Sequence, residues 1–372
     1  MNTPTSPSGT ERTARPVLRV GALVPLARPG WTEAGRHLLA GLTLAVHDVN
    51  EAGGIDGRPL ELVVRDTAAD PRRAVAAVDE LAELGVAALA GEYHSVVARA
   101  AAGRADVLGL PFLCSSAVLD ALTEEPTRWV ARLAPPQSRG WRAYADFLLG
   151  AGHRRIAVAT QPSVYWASGA RILREHLAPR GGSVADLDMA ALDPDGMCGA
   201  LAEDGATALL LLLGHPDPAV PVVEAVRRDR RLAGLTVGAP AGQPEFAEWA
   251  RLLGGDGTAI PFLRYLPDRL TPLGERVERA LRQRLGTAPS FVAFEGYDTI
   301  TVLADVLRLA GGGADRARTA ASWPRVDVAG TRGRIRFSRT PGISVWQWDG
   351  APVQVVDRDP SAGDRFRILH TG

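Results

Sequence analysis

LAVHDVNEAGGIDGRPLELVVRDTAADP, residues 44–71, holds the end of a helix, a stop, a turn, a strand and the start of a second helix. Leu38, Leu39, Leu42, Ala45, Val46 and Val49 recur at helical spacing, so one face of the first helix is apolar. Gly53 and Gly54 supply the left-handed backbone on which such a helix ends, and Asp56-Gly57 makes the turn. Residues 60–65 read as a short strand. Asp70 is placed to accept N–H groups as an N-cap, with Pro71 pre-set at the first helical position. With the strand at 18–25 before it, the stretch forms a βαβ unit and opens a parallel sheet.

The chain is 372 residues long and 46% hydrophobic, enough for a large core and two domains. Its 42 basic and 42 acidic residues cancel, which removes any electrostatic case for nucleic acid or an anionic membrane as partner. All the basic residues are arginine. A chain without lysine has no Schiff-base chemistry, no lysine general base and no lysine-bearing phosphate loop. Residues 1–16, MNTPTSPSGTERTARP, read as a polar, disordered tail without the apolar region of an export signal. No apolar run reaches membrane-spanning length, so direct membrane insertion is not expected. Together with only two cysteines, Cys114 and Cys198, this predicts a cytosolic protein without a structural disulfide, monomeric or a weak homodimer.

Strand and helix continue to alternate: a helix at 71–84, a strand at 86–90, a helix at 96–108 and strands at 110–114 and 129–133. Pro135-Pro136 interrupts the pattern, and a second series follows with strands at 155–160, 207–213 and 235–238 and helices at 168–177 and 218–229. Helices are expected at 273–285 and 294–309, a β segment at 330–337, and a terminal hairpin from 344–348 and 353–356 around Asp349-Gly350.

This stretch and its alternating order resemble the type I periplasmic solute-binding proteins, the branched-chain amino-acid and amide binders, over residues 17–358. The resemblance implies an α/β fold of two doubly wound parallel-sheet lobes joined by three hinge crossings, near 133–137, 258–262 and 337–344. The first lobe would be 17–134 plus 262–337, the second 135–261 plus 338–372. It also implies a clamp that closes on a small polar solute, an amino acid, amide or related carboxylate, with no cofactor. The extracellular members place a disulfide where Ala69 and His94 stand here. Two rivals accompany this reading. One is the substrate-binding subunit of an ABC importer, with a permease as partner, periplasmic or extracellular through a misassigned start. The other is a biosynthetic enzyme using the cleft, with Glu92, His94 and Tyr165 as acid–base groups. A cytosolic sensor would instead report its closed shape to a regulatory protein.

In parallel α/β lobes the loops after the strands face the ligand, and helix N-termini there offer N–H groups to an oxygen. Glu92-Tyr93-His94-Ser95 and Ser115-Ser116-Ala117 are such loops. The resemblance implies that Ser95 anchors the solute head, and the Tyr93-x-Ser95 pair is similar to that of cytosolic amide-sensing regulators. It places Trp31 over the ligand and Tyr165-Trp166 in the second-lobe wall. In Phe294-Glu295-Gly296-Tyr297-Asp298, Phe294 and Glu295 are the expected cleft residues, while Tyr297 packs against the sheet. Where branched-chain binders hold the ammonium with an acid, this chain has Ala241, so Glu92, Asp217 or Glu245 replaces the acid or the solute is not a plain α-amino acid. His215-Pro216-Asp217 reads as a cleft loop. No metal site and no catalytic residues are expected, since no second His or Cys cluster has ligand spacing and no Gly-x-Ser-x-Gly elbow occurs.

Overall fold

A computed structural model describes residues 16–124, 127–312, 315–339 and 345–372. The opening follows the sequence: β1 (Leu18–Val24), α1 (Thr32–Glu51), β2 (Leu60–Asp66), α2 (Pro71–Glu83), β3 (Ala88–Gly91), α3 (Ser95–Val107), β4 (Phe112–Cys114), α4 (Ala121–Glu124) and β5 (Val130–Arg132). Gly53 and Gly54 take φ of 93° and 75°, and the Asp70 side chain accepts the N–H groups of Arg72 and Arg73 at the start of α2. The second series comprises α5 (Gln137–Gly150), β6 (Arg155–Thr160), α6 (Val164–Leu177), β7 (Ser183–Asp188), α7 (Pro194–Asp204), β8 (Ala208–Leu212), α8 (Ala219–Arg228), β9 (Thr236–Gly238) and α9 (Ala247–Leu253). The chain ends through β10 (Phe262–Arg264), α10 (Pro272–Leu285), α11 (Phe291–Leu309), α12 (Arg316–Ala321), β11 (Asp327–Ala329), β12 (Arg334–Ser338), β13 (Trp346–Trp348), β14 (Gln354–Asp359) and β15 (Ala362–Thr371).

One sheet runs β11-β12-β13-β5-β4-β3-β1-β2, with β1 to β5 parallel and β13 parallel to β5. A second, all-parallel sheet runs β7-β6-β8-β9. A small antiparallel sheet, β10-β14-β15, stands apart from both. The expected terminal hairpin does not form. Trp346 and Gln347 pair with Ala131 and Arg132 in the first sheet, whereas β14 pairs with β10 and β15. Asp349-Gly350 therefore lies between two different sheets, and the chain leaves the first sheet only after Trp348. Residues 340–344 of the expected third crossing lie outside the described residues.

Helix α5 goes beyond the sequence expectation. Pro135-Pro136 delivers the chain into it, and it buries Trp141, Tyr144 and Leu148. Helices α1 and α11 cross at backbone contact: a Cβ on Gly41 would stand 1.9 Å from the Ala293 carbonyl oxygen. Close packing of that kind fixes α11 under the first sheet and with it the buried Glu295 and Asp298. Cys114 and Cys198 are both buried and free.

Candidate functional site

Each parallel sheet reverses strand order once, between β1 and β3 in the first and between β6 and β8 in the second. The two loops flanking such a point diverge and leave a crevice at the strands' carboxyl ends. The four loops concerned supply Trp31, Tyr93 to Ser95, Ser163 to Trp166, and Gly214, and all of these except Val164 line one cavity of about 330 Å³. Ala69, Ser116, Val118, Ala241, Tyr265 and Phe291 complete much of its wall.

Helix α3 starts on this cavity without a side-chain cap on its first N–H groups. Its N-cap residue, His94, is occupied elsewhere, because its Nε2 accepts the Trp31 N–H at 3.1 Å. That bond requires the neutral ring with the proton on Nδ1, and burial agrees by lowering the His94 pKa to about 4. The Ser95 hydroxyl accepts the N–H groups of Val118 and Leu119 at 3.2 and 3.3 Å, which leaves its own proton to donate. Helix α6 starts on the opposite wall, where Ser163 accepts the Tyr165 N–H at 3.2 Å. Burial, reinforced by surrounding phenols and carboxylates, raises Tyr93 well above 10, and burial raises Tyr165 and Tyr265 likewise. The wall is thus six aromatic rings, hydroxyls and amides, with no charged side chain among its lining residues at neutral pH.

Several expected residues lie elsewhere. Glu92 is fully buried and works as a strut: it accepts the N–H groups of Tyr93 and His94 at 2.9 and 3.0 Å and the Thr67 hydroxyl at 2.7 Å. Burial raises its carboxyl to about 7 against those three bonds. Ser115 and Ala117 are buried beside the wall, and only Ser116 of that loop reaches the cavity. Phe294 sits in the core, and Phe291, one turn earlier on α11, takes the cavity position. Glu295 is buried against Arg332 at 3.3 Å, and burial lifts its carboxyl to about 7. Of the other two acids offered as ammonium partners, Asp217 does not line the cavity, and Glu245 is engaged by Arg264 and the Phe291 N–H at 3.0 Å each. His215 stands at the rim between Trp31 and Trp249, with ring centroids at 5.8 and 5.7 Å. Tyr297 donates to Asp48 at 2.8 Å and does not line the cavity.

Tyr265, Phe291, Val118 and Ser163 were not singled out by the sequence. Ser163 carried a usable signal, a small hydroxyl residue between a strand and a helix. The other three reach the wall only through tertiary packing.

Residues 17–352 match the sequence profile of the family described as periplasmic binding protein. The chain belongs to that family. As a periplasmic binding protein it is a small-molecule binding protein. It is 31% identical over 133 residues to Leu/Ile/Val-binding protein homolog 8 of Brucella abortus, a match covering 36% of this chain and 32% of that protein. The chain thus matches about a third of that relative's length. Over nearly its whole length it is similar to the leucine binding protein LivK of Thermotoga maritima, with a TM-score of 0.81, 19% identity and 95% and 98% of the two chains covered. It is also similar to an ABC transporter solute binding protein of R. palustris in complex with benzoate, with a TM-score of 0.80, 19% identity and 95% and 96% covered. These two likenesses identify the fold, the type I arrangement of paired α/β lobes. No described helix is long and apolar enough to cross a membrane.

Proposed function

We propose that this periplasmic binding protein closes two lobes on a small solute with an oxygen head and an aromatic or apolar body, not on a plain α-amino acid. The lobes would follow the sheets: residues 17–134 with 265–348, and 135–264 with 349–372. The single observation that carries the ligand class is the uncharged wall, in which Ala241 and six aromatic rings stand and no carboxylate does. An α-ammonium enclosed there would stay unpaired, which costs several kcal/mol. A carboxylate or carboxamide oxygen instead meets the Ser95 hydroxyl and the uncapped start of α3. Tyr93, Tyr165, Trp166 and Trp31 would stack on its body. The leucine- and benzoate-associated structures named above frame the choice.

Mass spectrometry of solute retained after native purification, followed by calorimetry with benzoate, benzamide and leucine, tests this. The expected outcome is an aromatic or amide solute and no measurable leucine binding. Tight leucine binding overturns it.

The output would be the closed shape, read by an ABC permease or by a regulatory protein, with the chain monomeric or a weak homodimer. A cytosolic setting is the second reading, favoured by two buried free thiols. Cell fractionation separates it from the periplasmic setting.

A further inference from the structure

Outside the cavity, the loop after β1 and the first turn of α1 meet the segment 244–248, which leads into the first turn of α9, across the mouth of the cleft. The Glu33 carboxylate accepts the N–H of Ala247 through Oε1 at 2.8 Å and the N–H of Glu248 through Oε2 at 3.0 Å. Arg28 Nη2 donates to Glu248 Oε1 at 2.9 Å, and the Trp31 ring meets Phe246 edge-on with centroids at 5.8 Å. Arg28, Glu33 and Glu248 are absent from the cavity wall, and the recess they share is about 10 Å³, no larger than about one water needs.

The segment is prepared for this contact from behind. Arg358, buried in β14, donates through Nε to the Pro244 carbonyl at 2.6 Å and through Nη2 to those of Glu245 and Phe246 at 3.1 and 3.0 Å. With three successive carbonyls turned to a cation on one side, the next two N–H groups present to an anion on the other. Glu33 is that anion, and it belongs to the element packed on the first sheet. Both amides and the carboxylate would be hydrated with the lobes apart, so these bonds exist only in the closed arrangement.

We infer that Glu33, supported by Arg28, is a positioning residue that latches the closed clamp and sets how long a solute stays enclosed, without touching the solute. This rests on the proposed closure around the central cavity. Substituting Glu33 therefore changes release for every solute alike, whereas a cavity residue changes the choice among them.

The test uses the full chain, unfolded and refolded to strip any carried solute, with spin labels at Val107→Cys and Glu175→Cys, exposed positions on the two sides of the cleft. The native cysteines are buried. Pulsed-resonance distances are recorded without solute, and release rates with sodium benzoate as probe. In Glu33→Ala the closed population should fall about tenfold relative to open, equal to about 1.4 kcal/mol, and benzoate release should quicken by the same factor with association unchanged. Glu33→Gln should lie between. Ala247→Pro should also lie between, because it removes one N–H at a first helical position, and Phe246 before it is already extended, at φ −89° and ψ 150°. Unchanged distances in a folded Glu33→Ala chain overturn the latch. Benzoate failing to bind every variant would overturn the ligand class above, and the solute-free distances would still decide the latch.

Discussion

The Ser95 hydroxyl oxygen accepts the backbone N–H of Val118 at 3.2 Å, tying the start of α3 to the loop after β4. Val118 in turn gives its carbonyl to Gln137 N at 2.6 Å and to the buried Arg132 at 3.1 Å. One cavity-wall residue is therefore bonded through a single residue, Val118, to the segment where the chain passes from the first sheet to the second. The lone pairs of Ser95 serve structure, and its own proton is left to donate.

Ser95→Ala should show both roles. Two N–H groups lose their acceptor, so stability in urea should fall by about 1–3 kcal/mol. Affinity for the retained solute, measured by calorimetry, should drop roughly 2- to 150-fold. An unchanged affinity would make Ser95 a purely structural residue.

Glu92 carries three hydrogen bonds inside the fold and does not itself line the cavity. Glu92→Ala should lower the unfolding free energy by about 2–5 kcal/mol, and Glu92→Gln by clearly less, because one acceptor oxygen remains. Denaturant midpoints of the two variants check this. Equal losses would mean that the charge, not the acceptor, holds the loop.

Arg332 lies buried with Asp298 at 3.0 Å and Glu295 at 3.3 Å. Arg332→Met strands two acids, so a destabilisation of about 3–5 kcal/mol is expected at neutral pH. Acidification should relieve it, since burial raises both carboxyls and protonation removes their charge. Thermal unfolding of this variant at pH 7 and at pH 5 supplies the comparison, and a loss that grows on acidification would refute the charge argument.

His37 Nδ1 accepts the Ser290 N–H at 3.0 Å, and burial lowers its pKa from 6.5 to about 4. The unfolded chain binds this proton first, so its contribution is complete above pH 6.5 and is lost as pH falls towards 4. The loss amounts to up to about 3 kcal/mol. Wild type and His37→Gln should thus converge or cross in stability between pH 6.5 and 4, as urea titrations across that window will show. Parallel curves would remove His37 from the acid response.

Ala241 stands on the cavity wall, and on the proposed reading it replaces an acid that would pair an ammonium. Ala241→Glu should confer leucine binding that the wild-type chain lacks and weaken binding of a carboxylate solute. Calorimetry with leucine and benzoate measures both, and loss of benzoate binding without any gain for leucine would place the amino end of a ligand elsewhere.

The first lobe's order was legible because its signals are local. The glycine stop at Gly53-Gly54, the Asp70-Pro71 cap and the strand–loop–helix around Tyr93 to Ser95 each arise within a few residues. Tyr93 and Ser95 are legible for the same reason, in a loop between a parallel strand and a helix, whereas Trp31, Tyr165 and Trp166 are placed by the family resemblance. Helix α5 is hidden behind Pro135-Pro136, and β13 reads as half of a hairpin because nothing local distinguishes pairing with β14 from pairing with β5, over two hundred residues earlier.

The sequence by itself determined the alternating α/β order and the strand-end loops that carry much of the cavity wall, since periodicity and caps act over one or two turns of chain. Only the tertiary structure decided which acids are struts, that Phe291 and not Phe294 lines the cavity, and that Glu33 reaches Ala247. Those depend on helix rotation and on how two sheets meet, contacts between residues tens to hundreds apart whose geometry no local pattern encodes.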